Sequence, residues 1–381
     1  FSCFRLSNFD SLVRKVSKQN KKDCAIYMYS NPDNIGIYNN IKCGVSSSKR
    51  MLGIMEHLST TGKFISFEKS YGELQNDDLL NFLQNNMKKV STLRARPVLA
   101  YLSAVNKNVS SNLINISNED IKHFVNLIND VPENIQEIDI ILHSRGGYMI
   151  VARQLVEIIR KRFKKVTYII PYIAHSAAAM MTMSGDEIIM TPESSMSPFD
   201  VQMPSPASNE YYPAAELKKI ANEARHAHNP FNPFISKALY KDWDSRTIRK
   251  IIFDCSISIS MTKNYTIYWL MKYMFNNFKA VNYKFSYYLV LPWWIRLTKN
   301  GRTAHKIASF FTNPKIHIAH NNPVMFNDIS DIGLNIQCAD SELLSILRET
   351  YILTDELFDR SIFTKLYIND KQHVYTHKKE I

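Results

Sequence analysis

Two short segments of this sequence bring together residue types that can do chemistry. The first is His143-Ser144-Arg145-Gly146-Gly147. Two adjacent glycines at a strand end leave backbone N–H groups uncovered by side chains, which suits them to hold a developing oxyanion. Losing one donor from such a hole costs roughly 3 to 4 kcal/mol of transition-state stabilisation. The same pair would equally serve a tight strand-to-helix turn that needs positive φ. The second segment is Pro171-Tyr172-Ile173-Ala174-His175-Ser176-Ala177-Ala178-Ala179. Ser176 falls where a helix should begin, so its hydroxyl would lie near the positive end of the dipole, which favours an alkoxide. A serine N-cap is the plainer use of that position. The small residues around it let a substrate backbone approach, or let the helix pack tightly on a sheet.

The elements that must position these segments follow from periodicity. Asp77–Val90 has the pattern of an amphipathic helix, and Pro97 closes that region. Val98–Ser103 is an apolar strand. Ser117 is the expected N-cap of a helix carrying Ile121, Phe124, Val125 and Ile128 on one face. Ile138–Leu142 is a β-branched run, expected to be buried on both faces. Tyr148–Phe163 is a helix with Ile150, Val151, Leu155 and Ile158 on one side. Val166–Ile170 is a strand, Ser176–Met183 a helix and Glu187–Met190 a fourth strand. This alternation predicts an α/β fold with a parallel sheet and right-handed crossovers. Ligands bind such sheets at the carboxyl ends of the strands, where both segments lie. The uncharged run from Val166 to Gly185 has the length of a membrane span. Its Pro171, His175 and small polar residues instead parse it as strand, turn and buried helix.

Composition removes several function classes. The chain has 381 residues and only 10 glycines, none spaced G-x-G and none five apart. Dinucleotide and phosphate-loop signatures are therefore missing, and no cofactor is expected. The 5 cysteines are scattered and never in C-x-x-C, which points to a reducing, cytoplasmic setting rather than a disulfide scaffold or zinc ribbon. The sequence opens on Phe1, and no signal peptide is read after it. His226 and His228, His317 and His320, and His373 and His377 are pairs without a third ligand at metal spacing, so no metal site is expected.

The net charge of +12 is uneven. No acidic residue lies between Asp254 and Asp328, while that stretch holds nine bases among aromatics such as Trp269, Tyr287, Tyr288, Trp293 and Trp294. It reads either as a surface for an anionic partner (a membrane surface, nucleic acid or an acidic protein, through residues 255–327) or as the solvated face of a helical subdomain with an aromatic core. The domain organisation expected is an N-terminal extension over 1–96, a catalytic-type domain over 97–340 with an aromatic, basic insertion at about 256–303, and a C-terminal tail over 341–381.

Three segments together resemble one family. They are I-D-I-I-L-H-S-R-G-G (138–147), I-I-P-Y-I-A-H-S-A-A-A-M-M-T-M-S-G-D-E-I-I-M (169–190) and S-M-S-P-F-D-V-Q (195–202). They resemble the serine dehydrogenase proteinase family of the Clp protease/crotonase superfamily, relatives of signal-peptide peptidase A. The resemblance implies a spiral of β-β-α units with helical additions, and an ATP-independent serine endopeptidase acting on a peptide or protein substrate through an acyl-enzyme. Ser176 would be the nucleophile, and the N–H groups of Gly147, Ala177 and Gly146 would hold the oxyanion. Pro198, Asp200 and Gln202 would line the peptide groove, and the protein would form a homo-oligomer. The sequence departs from the family at Arg145, where a proline is usual, at Ala178 and Ala179, where Gly and Thr are usual, and at Ser197, where Gly is usual.

A nucleophilic serine needs a base in hydrogen-bond reach. The family's relatives use a histidine or a lysine. Lys218 and Lys219, on a helix starting near Pro213, Lys237, and His320, 13 residues before Gly333, are the candidates. His175 is expected to point away from Ser176, because adjacent helical side chains diverge. Two other readings share the same motifs: a catalytically degenerate scaffold that docks on an anionic partner, and a crotonase-type acyl-CoA enzyme whose oxyanion hole stabilises an enolate.

Overall fold

A computed structural model describes residues 75–205, 211–227, 244–275, 297–313, 316–317, 322–371 and 373–376. Helix α1 (Asn76–Arg94) runs longer than the apolar period alone suggests. Asp77 and Asp78 occupy its first turn and Arg94 its last, as the helix dipole favours. It ends on Ala95 at φ 50, two residues before a proline that cannot continue it. Strand β1 (Val98–Ser103) follows, then a short helix α2 (Ser111–Ile114) and α3 (Asn118–Asn129). Next come β2 (Glu137–His143), α4 (Met149–Arg162), β3 (Lys165–Ile170), β4 (Ile173–Ala174), α5 (Ala177–Thr182), β5 (Glu187–Met190) and β6 (Ser195–Met196). The β1 residues are all buried, as are all but the first of β2 and of β3, as expected of strands covered on both faces. On α4, Val151 and Leu155 are buried, but Ile150 faces out at 65% exposure. The helix begins one residue later than its apolar run, and its stripe is set by Val151, Leu155 and Ile159.

The second half of the chain contributes β7 (Gln202–Pro204), β8 (Tyr211–Pro213), α6 (Ala214–Ala227), α7 (Ser245–Trp269) with a π turn at Leu270–Met274, and α8 (Lys299–Thr312). Then follow β9 (Val324–Met325), α9 (Phe326–Ser330), β10 (Ile336–Cys338), α10 (Ser341–Arg360), β11 (Lys365–Asn369) and β12 (His373–Thr376). Seven strands form one sheet in the order β10-β5-β3-β2-β1-β11-β12. The first five run parallel, and β11 and β12 extend the sheet as an antiparallel hairpin. A second sheet, β4-β6-β9, sits beyond the carboxyl ends of β2 and β3 and is tied to β2 through a bridge between Ser144 and Ala174.

Two expectations about organisation change. Residues 341–381 were read as a tail, yet β11 pairs with β1 over five residues inside the main sheet. Helix α10 also packs on α1, where Asn86 Nδ2 donates to Thr350 Oγ1 at 3.4 Å. The 97 and 340 boundaries therefore cut through a packed unit. His373 lies in β12, and His377 is outside the described residues. The basic, aromatic stretch is partly core: Tyr265, Trp269, Leu270, Ile307 and Phe311 join the same apolar cluster as the central strands. Tyr287, Tyr288, Trp293 and Trp294 lie outside the described residues. Among the described residues, no helix is long and apolar enough to cross a membrane.

Candidate active site

Parallel pairing brings the ends of β2 and β3 to one edge of the sheet, in register through Ile141 and Ile169. The chain leaving β2 forms the Gly146-Gly147 turn; the chain leaving β3 passes Pro171 and β4 to reach Ser176. Gly146 takes φ +97, and a β-carbon there would stand 2.5 Å from the His175 carbonyl oxygen, 2.8 Å from the Ala177 nitrogen and 2.8 Å from Ser176 Cβ. The bare backbone is therefore what lets the two strand ends meet. Gly147 lies equally close to Ile116, whose N–H donates to Gly146 O at 2.7 Å and whose carbonyl accepts from Tyr148 N at 2.9 Å.

Ser176 has φ 49 and ψ −122, and it is one of two described non-glycine residues at positive φ. Such backbone costs about 1–3 kcal/mol and persists only when its surroundings over-determine it. They do so here. The Ser176 N–H donates to Ser197 Oγ at 2.8 Å, and its carbonyl accepts from Met180 N at 3.0 Å. On the preceding residue, His175 N donates to Ser144 O at 2.9 Å and His175 O accepts from Ala178 N at 2.9 Å. Ser197 is buried, and its hydroxyl passes the bond on to Pro198 O at 3.0 Å. Ser197 stands where the family usually has Gly, and its hydroxyl is what seats the Ser176 turn. The signal was a polar residue at a position expected to be bare.

The proposed oxyanion donors separate. The Gly146 N–H is already committed to Ser144 Oγ at 3.0 Å, so the turn's own geometry uses it. The N–H groups of Gly147 and Ala177 have no acceptor among the described residues. Either can donate a hydrogen bond to a ligand oxygen.

The other candidates are less uniform. Pro198 and Asp200 are buried, and Asp200 Oδ2 accepts from Gln202 Nε2 at 2.7 Å. Of the three residues expected in a groove, Gln202 alone offers partly exposed surface. Lys218 lies on α6, whose apolar face packs with α7 in a small separate cluster of Ala214, Leu217, Ala221, Ile248 and Cys255. Its charge acts on the Cys255 thiol, which burial raises above the usual range. His320 lies outside the described residues. His175 Nε2 stands 3.1 Å from Ser195 Oγ. His143 is buried, accepts from Ile173 N through Nδ1 at 3.4 Å, and is held neutral. Burial first, then the neighbouring His175 and Arg145, lower its pKa to about 3. Among the described residues, no group of three or more His, Cys, Asp or Glu side chains is placed to hold a metal.

A strained serine facing a Gly-Gly turn across the carboxyl ends of a parallel sheet is a geometry suited to nucleophilic acyl transfer. Residues 75–229 match the family model of the ClpP-like SDH-type serine proteinases. The match covers the Gly pair, Ser176 and the loop to Gln202, and so carries the resemblance read from the sequence. Two curated relatives are uncharacterized proteins of Methanocaldococcus jannaschii. One is 32% identical over 102 residues, 27% of this chain and 32% of the relative. The other is 26% identical over 108 residues, 28% of this chain and 35% of the relative. The chain thus spans about a third of the length of these relatives. Among solved structures, a mutant of the 1510-N membrane-bound stomatin-specific protease is 18% identical, over 29% of this chain and 60% of that one, with a TM-score of 0.24.

Proposed function

We propose that this protein is an ATP-independent serine endopeptidase with Ser176 as nucleophile. The observation that carries the reading is the strained Ser176 turn packed against Gly146, whose β-carbon position lies 2.8 Å from both Ser176 Cβ and the Ala177 nitrogen. Ser176 Oγ attacks the scissile carbonyl carbon while its proton passes to a base. The carbonyl oxygen, now negative, is held by the Gly147 and Ala177 N–H groups. Collapse expels the amine, which takes the proton, and water then hydrolyses the Ser176 ester by the reverse proton path. No cofactor enters these steps. His320, 13 residues before Gly333 and near where the family's relatives carry their third catalytic residue, is the proposed base, with Lys218 as the alternative. The substrate is a peptide in extended form, and the spiral of β-β-α units and ring-like self-association implied by the family are part of the same proposal.

A fluorophosphonate probe tests it. Wild type should label and hydrolyse casein, Ser176→Ala should do neither, and His320→Gln should lose at least about 100-fold in labelling rate. Equal labelling of wild type and Ser176→Ala would sink the assignment.

A further inference from the structure

Helix α10 lies outside the segment matched to the family, yet one of its faces grips the carboxyl end of the sheet. Arg348, Tyr351 and Asp355 are three and four residues apart and so share that face. Arg348 Nη2 pairs with Glu193, on the chain between β5 and β6. The Tyr351 ring stacks on Tyr172, between β3 and β4, with centroids 4.4 Å apart and planes at 26°. The ring of His143, the last residue of β2, meets Tyr351 edge-on at 5.5 Å and 71°. Asn106, on the loop after β1, donates through Nδ2 to Tyr351 Oη at 3.3 Å and to Asp355 Oδ1 at 2.9 Å. One helix face thus holds the chain at or beyond the ends of β1, β2, β3 and β5.

Tyr172 is where this grip reaches the site. Its carbonyl accepts from Ser195 N at 2.8 Å, beside the pairing of β4 with β6. Ile173, the next residue, donates to His143 Nδ1 at 3.4 Å, and its carbonyl accepts from Ser144 N at 3.0 Å. His175 N then donates to Ser144 O at 2.9 Å, and Ser176 follows at positive φ. Each link from Tyr351 to Ser176 is a ring contact, a hydrogen bond or the chain itself. Strained backbone persists only while its surroundings fix it, and β4 is two residues long, so a shift at Tyr172 has little structure to absorb it before Ser176. Covering the sheet would ask only for the buried Leu343, Leu347, Leu353 and Leu357 of α10. It would not ask for an aromatic stack at the strand ends. The Arg348–Glu193 pair is partly exposed and worth little by itself, which leaves Tyr351 as the main holder.

We propose that Tyr351 is a positioning residue for Ser176, acting through Tyr172, and that α10 belongs to the active unit. This rests on the reading of Ser176 as the nucleophile. The role is indirect, through the segment that carries the serine rather than through substrate.

The test uses the full chain. In fluorophosphonate labelling, Tyr351→Ala should lower the inactivation rate constant roughly tenfold with little change in probe affinity, because the probe meets a misplaced Ser176. Tyr351→Phe keeps the stack and should label within about twofold of wild type. Leu353→Ala removes buried apolar area two residues on, on the far side of the helix, and should label as wild type does once folded. In hydrogen exchange, Tyr351→Ala should speed the 171–177 peptide roughly three- to tenfold, the worth of one aromatic stack, with β1 and β2 within about twofold. If Tyr351→Ala folds poorly, Tyr172→Ala removes the stack from its other side and should give the same two results. An unchanged inactivation rate without the stack overturns the proposal. So does an equal fall in folded Leu353→Ala, or a Tyr351→Phe variant as slow as Tyr351→Ala. Equal labelling of wild type and Ser176→Ala would instead defeat the nucleophile reading, and exchange at 171–177 would still judge the grip of α10 by itself.

Discussion

Ser176 and Gly146 both hold positive φ where the two strand ends meet. Gly146 can hold φ +97 without cost, while Ser176 at φ 49 cannot. Gly146→Ala should therefore be severe: a β-carbon 2.5 Å from the His175 carbonyl must push the two strand ends apart. We expect a loss of at least ~2 kcal/mol in chemical denaturation and no probe labelling; a variant as stable as wild type would show that the turn tolerates a side chain. Ser197→Ala strands the Ser176 N–H, at a cost of about 1–3 kcal/mol for an unmet buried donor. Its expected signature is a labelling rate down roughly tenfold in a protein that still folds, read by circular dichroism alongside the probe. Neither effect depends on the identity of the base.

At the scale of elements, β11 does two things for the sheet. It covers the open edge of β1, and it delivers Lys365 to a carboxylate that is fully buried. Lys365→Met leaves Asp120 dry and without its cation, and removing one partner of a buried pair costs about 3–5 kcal/mol. A urea midpoint unchanged from wild type would show that Asp120 is satisfied by Tyr101, Tyr367 and Ser117 without the lysine. The elements themselves were readable from sequence where two signals agreed. β1 and β5 were predicted to the residue, since an apolar run was bounded by a proline or a Gly-Asp turn. α3 was readable from Ser117 followed three residues on by Asp120. The C-terminal hairpin was not readable: nothing local says that a short apolar run at 365–369 pairs with a strand more than 250 residues earlier. The same holds for Tyr101, Ser117, Asp120 and Lys365, which no spacing relates.

Across the whole molecule, pH acts through His143. Its folded pKa is about 3, against 6.5 ordinarily, so the unfolded chain takes the proton first as pH falls. The stability that comes from keeping the ring neutral is complete above pH 6.5 and is lost progressively between 6.5 and about 3. The slope is about 1.4 kcal/mol per pH unit, so going from pH 6.5 to 5 should cost ~2 kcal/mol. His143→Asn, which keeps an acceptor for Ile173 N, should flatten that part of the curve in denaturant titrations. A slope that persists in the variant would assign it to another group.

The sequence by itself determined the parallel α/β sheet, the two strand ends where chemistry is possible, and the serine and glycine pair at them. It could do so because periodicity and residue type act over a few positions. Only the tertiary structure decided how those ends meet: that Gly146 gives its N–H to Ser144, that Ser197 seats the Ser176 turn, and that β11 carries Lys365 to the buried Asp120. Those contacts are between residues far apart in the chain. Their partners are chosen by what the packed sheet brings within 3 Å and by the cost of leaving a buried polar group unmet.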